Sequence, residues 1–106
     1  MRSIVLTGAM LLAACTSTPH ISPNQVTASE VATYKNGVEM GCREQGKSLG
    51  HPAGPLAVLC KCVVDTLNAR LTAEEWRRVT FYAQNKRGRE EAEILEPHLL
   101  AVRQCK

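Results

Sequence analysis

The chain has 106 residues, with 13 Lys and Arg against 10 Asp and Glu, a net charge of +3 with neutral histidines. So small an excess predicts no basic nucleic-acid footprint. The short length, with one Trp, two Tyr and one Phe, excludes a large enzyme core and allows one domain at most.

Met1-Arg2-Ser3 supplies a positive start, and residues 4–14, IVLTGAMLLAA, form an apolar run with the dimensions of a secretory leader. The run is too short to span a bilayer as a mature helix. It closes on Leu12-Ala13-Ala14-Cys15, which resembles the signal box of bacterial lipoproteins. That resemblance implies a diacylglyceryl thioether on Cys15, cleavage between Ala14 and Cys15, and acylation of the new amine. The residue types suit the chemistry: a thiol is the nucleophile that lipid transfer needs, and small residues before it let extended backbone enter a narrow protease groove. Two or more acyl chains anchor stably where one does so marginally. Thr16, not Asp, follows the cysteine, and by analogy with enterobacterial lipoproteins this implies the outer membrane, facing the periplasm.

Residues 15–28 are then expected to be the lipidated Cys and a solvated tether. Their Ser, Thr, Pro and Asn carry no helical apolar stripe, and His20 is expected to face solvent.

Residues 29–106 form the mature domain, of a size at which a hydrophobic core alone supplies roughly 3–5 kcal/mol. Its pattern is helical throughout. Val31, Tyr34, Val38 and Cys42 recur at spacings of three and four and predict a helix over about 29–47, weakened by Gly37 and Gly41. Residues 48–55, SLGHPAGP, predict a turn. A second helix over about 53–70 aligns Leu56, Cys60, Val63, Val64, Leu67 and Leu71. Cys62 is rotated from Cys60 by about 200°, so the two thiols should face different neighbours.

Leu71-Thr72-Ala73-Glu74-Glu75-Trp76 carries the sharpest local signal: Thr72 as N-cap and Glu75 three residues on make a capping box, and Leu71 and Trp76 a hydrophobic staple. A third helix should run from here to about Lys86, with its ending in residues 85–88. The last segment, about 89–104, carries Ile94, Leu95, Leu99, Val102 and Cys105; Pro97 must kink it or begin its final portion. The fold class expected is all-α, a small bundle of three or four short helices.

With Cys15 set aside, Cys42, Cys60, Cys62 and Cys105 give the arithmetic of two disulfides in an oxidising compartment. Cys60 to Cys62 is excluded on a helix, because the Cβ approach of about 3.5–4.5 Å cannot be met. Two pairings remain: Cys42–Cys60 with Cys62–Cys105, or Cys42–Cys62 with Cys60–Cys105. The rival readings are a Cys₄ metal site, with His51 or His98 as substitutes, and thiol redox chemistry. Both fit poorly, since metal and redox motifs space their cysteines by two or more residues, the redox pair at a helix N-terminus. Catalytic, metal and cofactor sites are therefore not expected.

Arg77, Arg78, Lys86, Arg87 and Arg89, flanked by six glutamates, read as a solvated mixed-charge face, with Glu74 and Arg78 at the favourable i, i+4 spacing. The stretch LCKCVVDTLNARLTAEEW, residues 59–76, resembles a pattern in small exported bacterial proteins of no settled activity, in which Cys-x-Cys leads an amphipathic helix, an Asp and a Thr-x-x-Glu restart. The resemblance implies fold and disulfides and transfers no catalytic residue.

The function expected is a non-enzymatic envelope lipoprotein, anchored to the membrane by lipid and binding another envelope protein. The alternatives are a periplasmic thiol-redox or metal-handling protein, and a plasmid or phage exclusion or immunity lipoprotein.

Overall fold

A computed structural model of the protein describes residues 20–106; the expected leader and Cys15 lie outside the described residues. The fold is all-α, and among the described residues no strand occurs. After a 3₁₀ turn at Pro23–Gln25 come α1 (Ala28–Ser48), α2 (Ala53–Arg70), α3 (Ala73–Gln84) and α4 (Gly88–Leu95). A second 3₁₀ turn, Glu96–His98, leads into the short α5 (Leu99–Val102). Pro97 lies in the first positions of that turn, so the proline bends the last segment where α4 passes into α5.

α1 and α2 form an antiparallel hairpin whose corner is set by backbone chemistry. At the end of α1 the His51 N–H donates to the Gly46 carbonyl and the Gly50 N–H to the Lys47 carbonyl, both at 3.0 Å, the two bonds of a Schellman ending. Gly50 sits at φ +90°, a conformation glycine adopts without a Cβ penalty. α3 ends in the same way: Arg87 donates to Tyr82 at 2.8 Å and Lys86 to Ala83 at 3.2 Å. Here, however, the left-handed position at φ 57° belongs to Lys86.

The core gathers Leu67 and Leu71 of the second helix and its cap with Trp76 and Val79 of α3. Val31, Tyr34 and Val38 pack against it from α1, and Ile94, Leu95 and Val102 from the C-terminal segment. The apolar stripes expected on α1 and α2 are thus the faces that meet. Tyr34 sets its ring edge-on to Trp76, with centroids 6.3 Å apart, and its hydroxyl donates to Glu91 Oε2. Burial, and then the Glu91 carboxylate, push the Tyr34 hydroxyl pKa well above its ordinary value.

Two disulfides join the elements: Cys42–Cys60, with Cα atoms 5.7 Å apart, and Cys62–Cys105, at 5.8 Å. The first ties α1 to α2, the second the C-terminus to α2. The structure thereby selects one of the two pairings left open, because α2 turns its Cys60 side toward α1 and its Cys62 side toward the C-terminal segment. The thiols two residues apart do face different neighbours.

The structure corrects the tether expectation over residues 20–27. Ser22 and Gln25 form a capping box on the first 3₁₀ turn, and Val26 is 5% exposed, buried at the start of the domain. His20 is half-buried rather than solvent-facing, its Nε2 placed 2.9 Å from each carboxylate oxygen of Glu30. Composition suggested a solvated stretch because its apolar residues are few and show no helical period; one valine and one histidine suffice to dock it.

Candidate functional site

Six residues preceding and opening α1 have nearly the same pattern as six preceding and opening α3. Val26-Thr27-Ala28-Ser29-Glu30-Val31 and Leu71-Thr72-Ala73-Glu74-Glu75-Trp76 each read apolar, Thr, Ala, any, Glu, apolar. In both, the threonine caps the helix. Thr27 Oγ1 accepts the Glu30 N–H at 3.1 Å while Glu30 Oε1 accepts the Thr27 N–H at 2.8 Å; the Thr72 and Glu75 distances are 3.1 and 2.9 Å. The apolar residues at either end close a hydrophobic staple over each cap.

These two staples meet. Val26, Val31, Leu71 and Trp76 form the apolar lining of an open groove of about 450 Å³. It is concave because the positions between the staples are small: Ala28 and Ala32 on α1, and Ala73 on α3. Lys35, Asn68 and Arg77 supply the polar part of the lining. Lys35 Nζ lies 4.6 Å from the centre of the Trp76 ring, a cation–π contact.

The carboxylates of the two caps point away from the groove into bonds of their own. The Thr27 backbone N–H, and then His20, hold the Glu30 carboxyl down to about 2, well below its ordinary 4.5. Gln84 donates to the same carboxylate at 3.2 Å, so Glu30 links the N-terminal segment, α1 and α3. The Thr72 backbone N–H lowers Glu75 in the same direction.

The four domain cysteines lie elsewhere, along the α2 faces opposite one another. Cys60 is completely enclosed, whereas Cys62 and Cys105 are half-exposed, with the Thr66 hydroxyl 3.5 Å from the Cys105 sulfur and 3.8 Å from that of Cys62. They are bonded in pairs, Cys42 with Cys60 and Cys62 with Cys105. Cys15, the expected lipidation site, lies outside the described residues.

His51 is exposed in the hairpin corner, and His98 Nδ1 accepts a hydrogen bond from Arg70 Nε at 3.1 Å. Glu74 and Arg78 form no ion pair despite their spacing; among the basic residues of that region, Arg87 pairs with Glu90 at 2.8 Å and lies over the Tyr82 ring. Lowered Glu90 and raised Arg87 pKa values follow from this one hydrogen-bonded pair.

Sequence reasoning found the Leu71 to Trp76 half of the groove and missed the Val26 to Val31 half, although the same capping signature was present there. Lys35 and Asn68 carried no signal, since each lies on the shoulder of an apolar stripe. No protein-family model matches the chain, and neither the curated proteins nor the solved structures compared with it include a match.

Proposed function

We propose that this protein is a membrane-anchored bacterial envelope lipoprotein whose disulfide-stapled helical domain is a non-enzymatic module that binds another envelope protein. One observation carries the reading: Cys42, Cys60, Cys62 and Cys105 pair among themselves, which leaves Cys15 as the fifth cysteine of the chain. A fifth cysteine outside such a framework calls for a separate chemical role. Cys15 stands at the end of an apolar leader, after Leu12-Ala13-Ala14, where lipid transfer would use it. Lipid on that sulfur and on the following amine would hold the chain at the membrane, and Thr16 favours the outer one.

Disulfides of this density also suit an oxidising compartment, where a domain this small gains stability its core lacks. An accessory of a secretion or surface assembly fits such a part, and an exclusion lipoprotein would share the same anchor.

Metabolic labelling with an alkynyl fatty acid, followed by intact-mass measurement of native material, tests the anchor. A lipidated chain beginning at Cys15, with labelling abolished in Cys15→Ser, is the expected result; an unacylated full-length product would overturn it. Crosslinking in cells tests the module: a reproducible protein partner supports it, and recovery of lipid and bulk abundant proteins alone argues against it.

A further inference from the structure

The groove between the α1 and α3 caps has the composition of a ligand site. Its walls are Val26, Val31, Leu71 and Trp76, and its volume of about 450 Å³ falls within the usual 300–1,000 Å³ or so of small-molecule sites. Such sites combine mostly apolar walls with a few polar groups that fix orientation. Here the charged ones are both cations, Lys35 and Arg77. Among the described residues neither has a carboxylate at ion-pair distance, whereas Arg43, Lys61 and Arg87 are each paired with one.

Two cations without carboxylate partners beside an apolar wall call for a ligand with one apolar and one anionic part. The dimensions restrict its shape. From Ala28 to Lys35 the groove follows α1 for two turns, about 10 Å. That length takes one alkyl tail, and the open side leaves the remainder of a longer tail in solvent.

We propose that this groove binds a single-tailed amphiphile with an anionic head, of the long-chain carboxylate class. The tail lies against Trp76, Leu71 and Val31, and the head pairs with Lys35 and Arg77. The site is independent of the anchoring reading, since it needs nothing from Cys15.

Trp76 is the only tryptophan of the chain and lines the groove, so its fluorescence reports occupancy directly. The full-length chain carrying Cys15→Ser, which keeps both disulfides and cannot carry a competing thioether-linked acyl chain, is titrated below micelle formation with laurate, dodecyl maltoside and dodecyltrimethylammonium. The expected result is a saturable response to laurate, weaker to the neutral head and weakest to the cationic one. Affinity should rise about threefold to fourfold per added methylene in a series of shorter carboxylates until the groove is filled. Lys35→Gln and Arg77→Gln should each weaken laurate by about fivefold. Ala32→Phe, which fills the groove from an exposed position, should abolish the response while leaving the helical circular dichroism intact. Equal response to the three head groups, or indifference of laurate binding to all three substitutions, would overturn the proposal. So would binding of a synthetic acidic amphipathic helix with no response to laurate, which would make the groove a protein-docking site.

Discussion

Cys60 and Cys62 stand two residues apart on α2, yet Cys60 is wholly enclosed and bonded to α1, while Cys62 is half-exposed and bonded to the C-terminus. The helix period places them on opposite sides of one rod, and each side closes a different loop. The rod is thereby fixed to both of its neighbours.

The two bonds should part in a fixed order under a mild reductant. The Cys60 sulfur is wholly enclosed, so a reductant must attack Cys42 and expel a thiolate into a site closed to solvent, which is slow. Cys62 and Cys105 offer accessible sulfurs and a hydroxyl beside them. Timed alkylation and peptide mapping should find Cys62 and Cys105 labelled first. Sequence separations of 18 and 43 residues correspond to about 3 and about 4 kcal/mol of loop-closure stabilisation. Full reduction should therefore abolish the helical circular dichroism at ambient temperature.

Glycine changes on α1 should have opposite signs along one helix. Gly37 and Gly41 have nothing within 4 Å of a built Cβ, so Gly37→Ala and Gly41→Ala should each stabilise by about 0.5–1 kcal/mol. Gly46 is buried, and a Cβ there would stand 3.0 Å from Leu56 Cδ2 and closer still to Cδ1. Gly46→Val should cost on the order of 2–3 kcal/mol, because Leu56 is itself enclosed and has little room to yield. Denaturant unfolding with the disulfides intact measures all three.

The two helix endings supply a matched pair. Lys86 holds a left-handed conformation that costs an L-residue about 1–2 kcal/mol, so Lys86→Gly should raise stability by about 1 kcal/mol. Gly50→Ala should lower it by a similar amount, since φ +90° suits glycine alone. Thermal melts of the two variants should move in opposite directions.

Stability should fall with acid between about pH 4.5 and about pH 2. Glu30 ionises near 2 when folded and near 4.5 otherwise, so in that window the unfolded chain binds the extra proton and stability rises with pH. The contribution is complete above the upper limit and lost as pH passes below the lower one. Glu75 acts in the same direction. Glu30→Gln, which retains a side-chain oxygen to accept the Thr27 N–H, should flatten the profile of melting temperature against pH across this window.

Much of the architecture follows from local chemistry. The α2 limits, the α3 cap and the facing stripes of Val31, Tyr34 and Val38 against Leu67 and Leu71 were legible because period and capping act within a few residues. So was the need for two disulfides, since a short chain with four remaining cysteines has few other means of stability. Periodicity names the face that is buried but not the neighbour that buries it. The choice of Cys60 for Cys42 therefore waited on how α2 is rotated between α1 and the C-terminus. The meeting of the two staples in one groove depends likewise on contacts between segments some 45 residues apart, which no local pattern encodes.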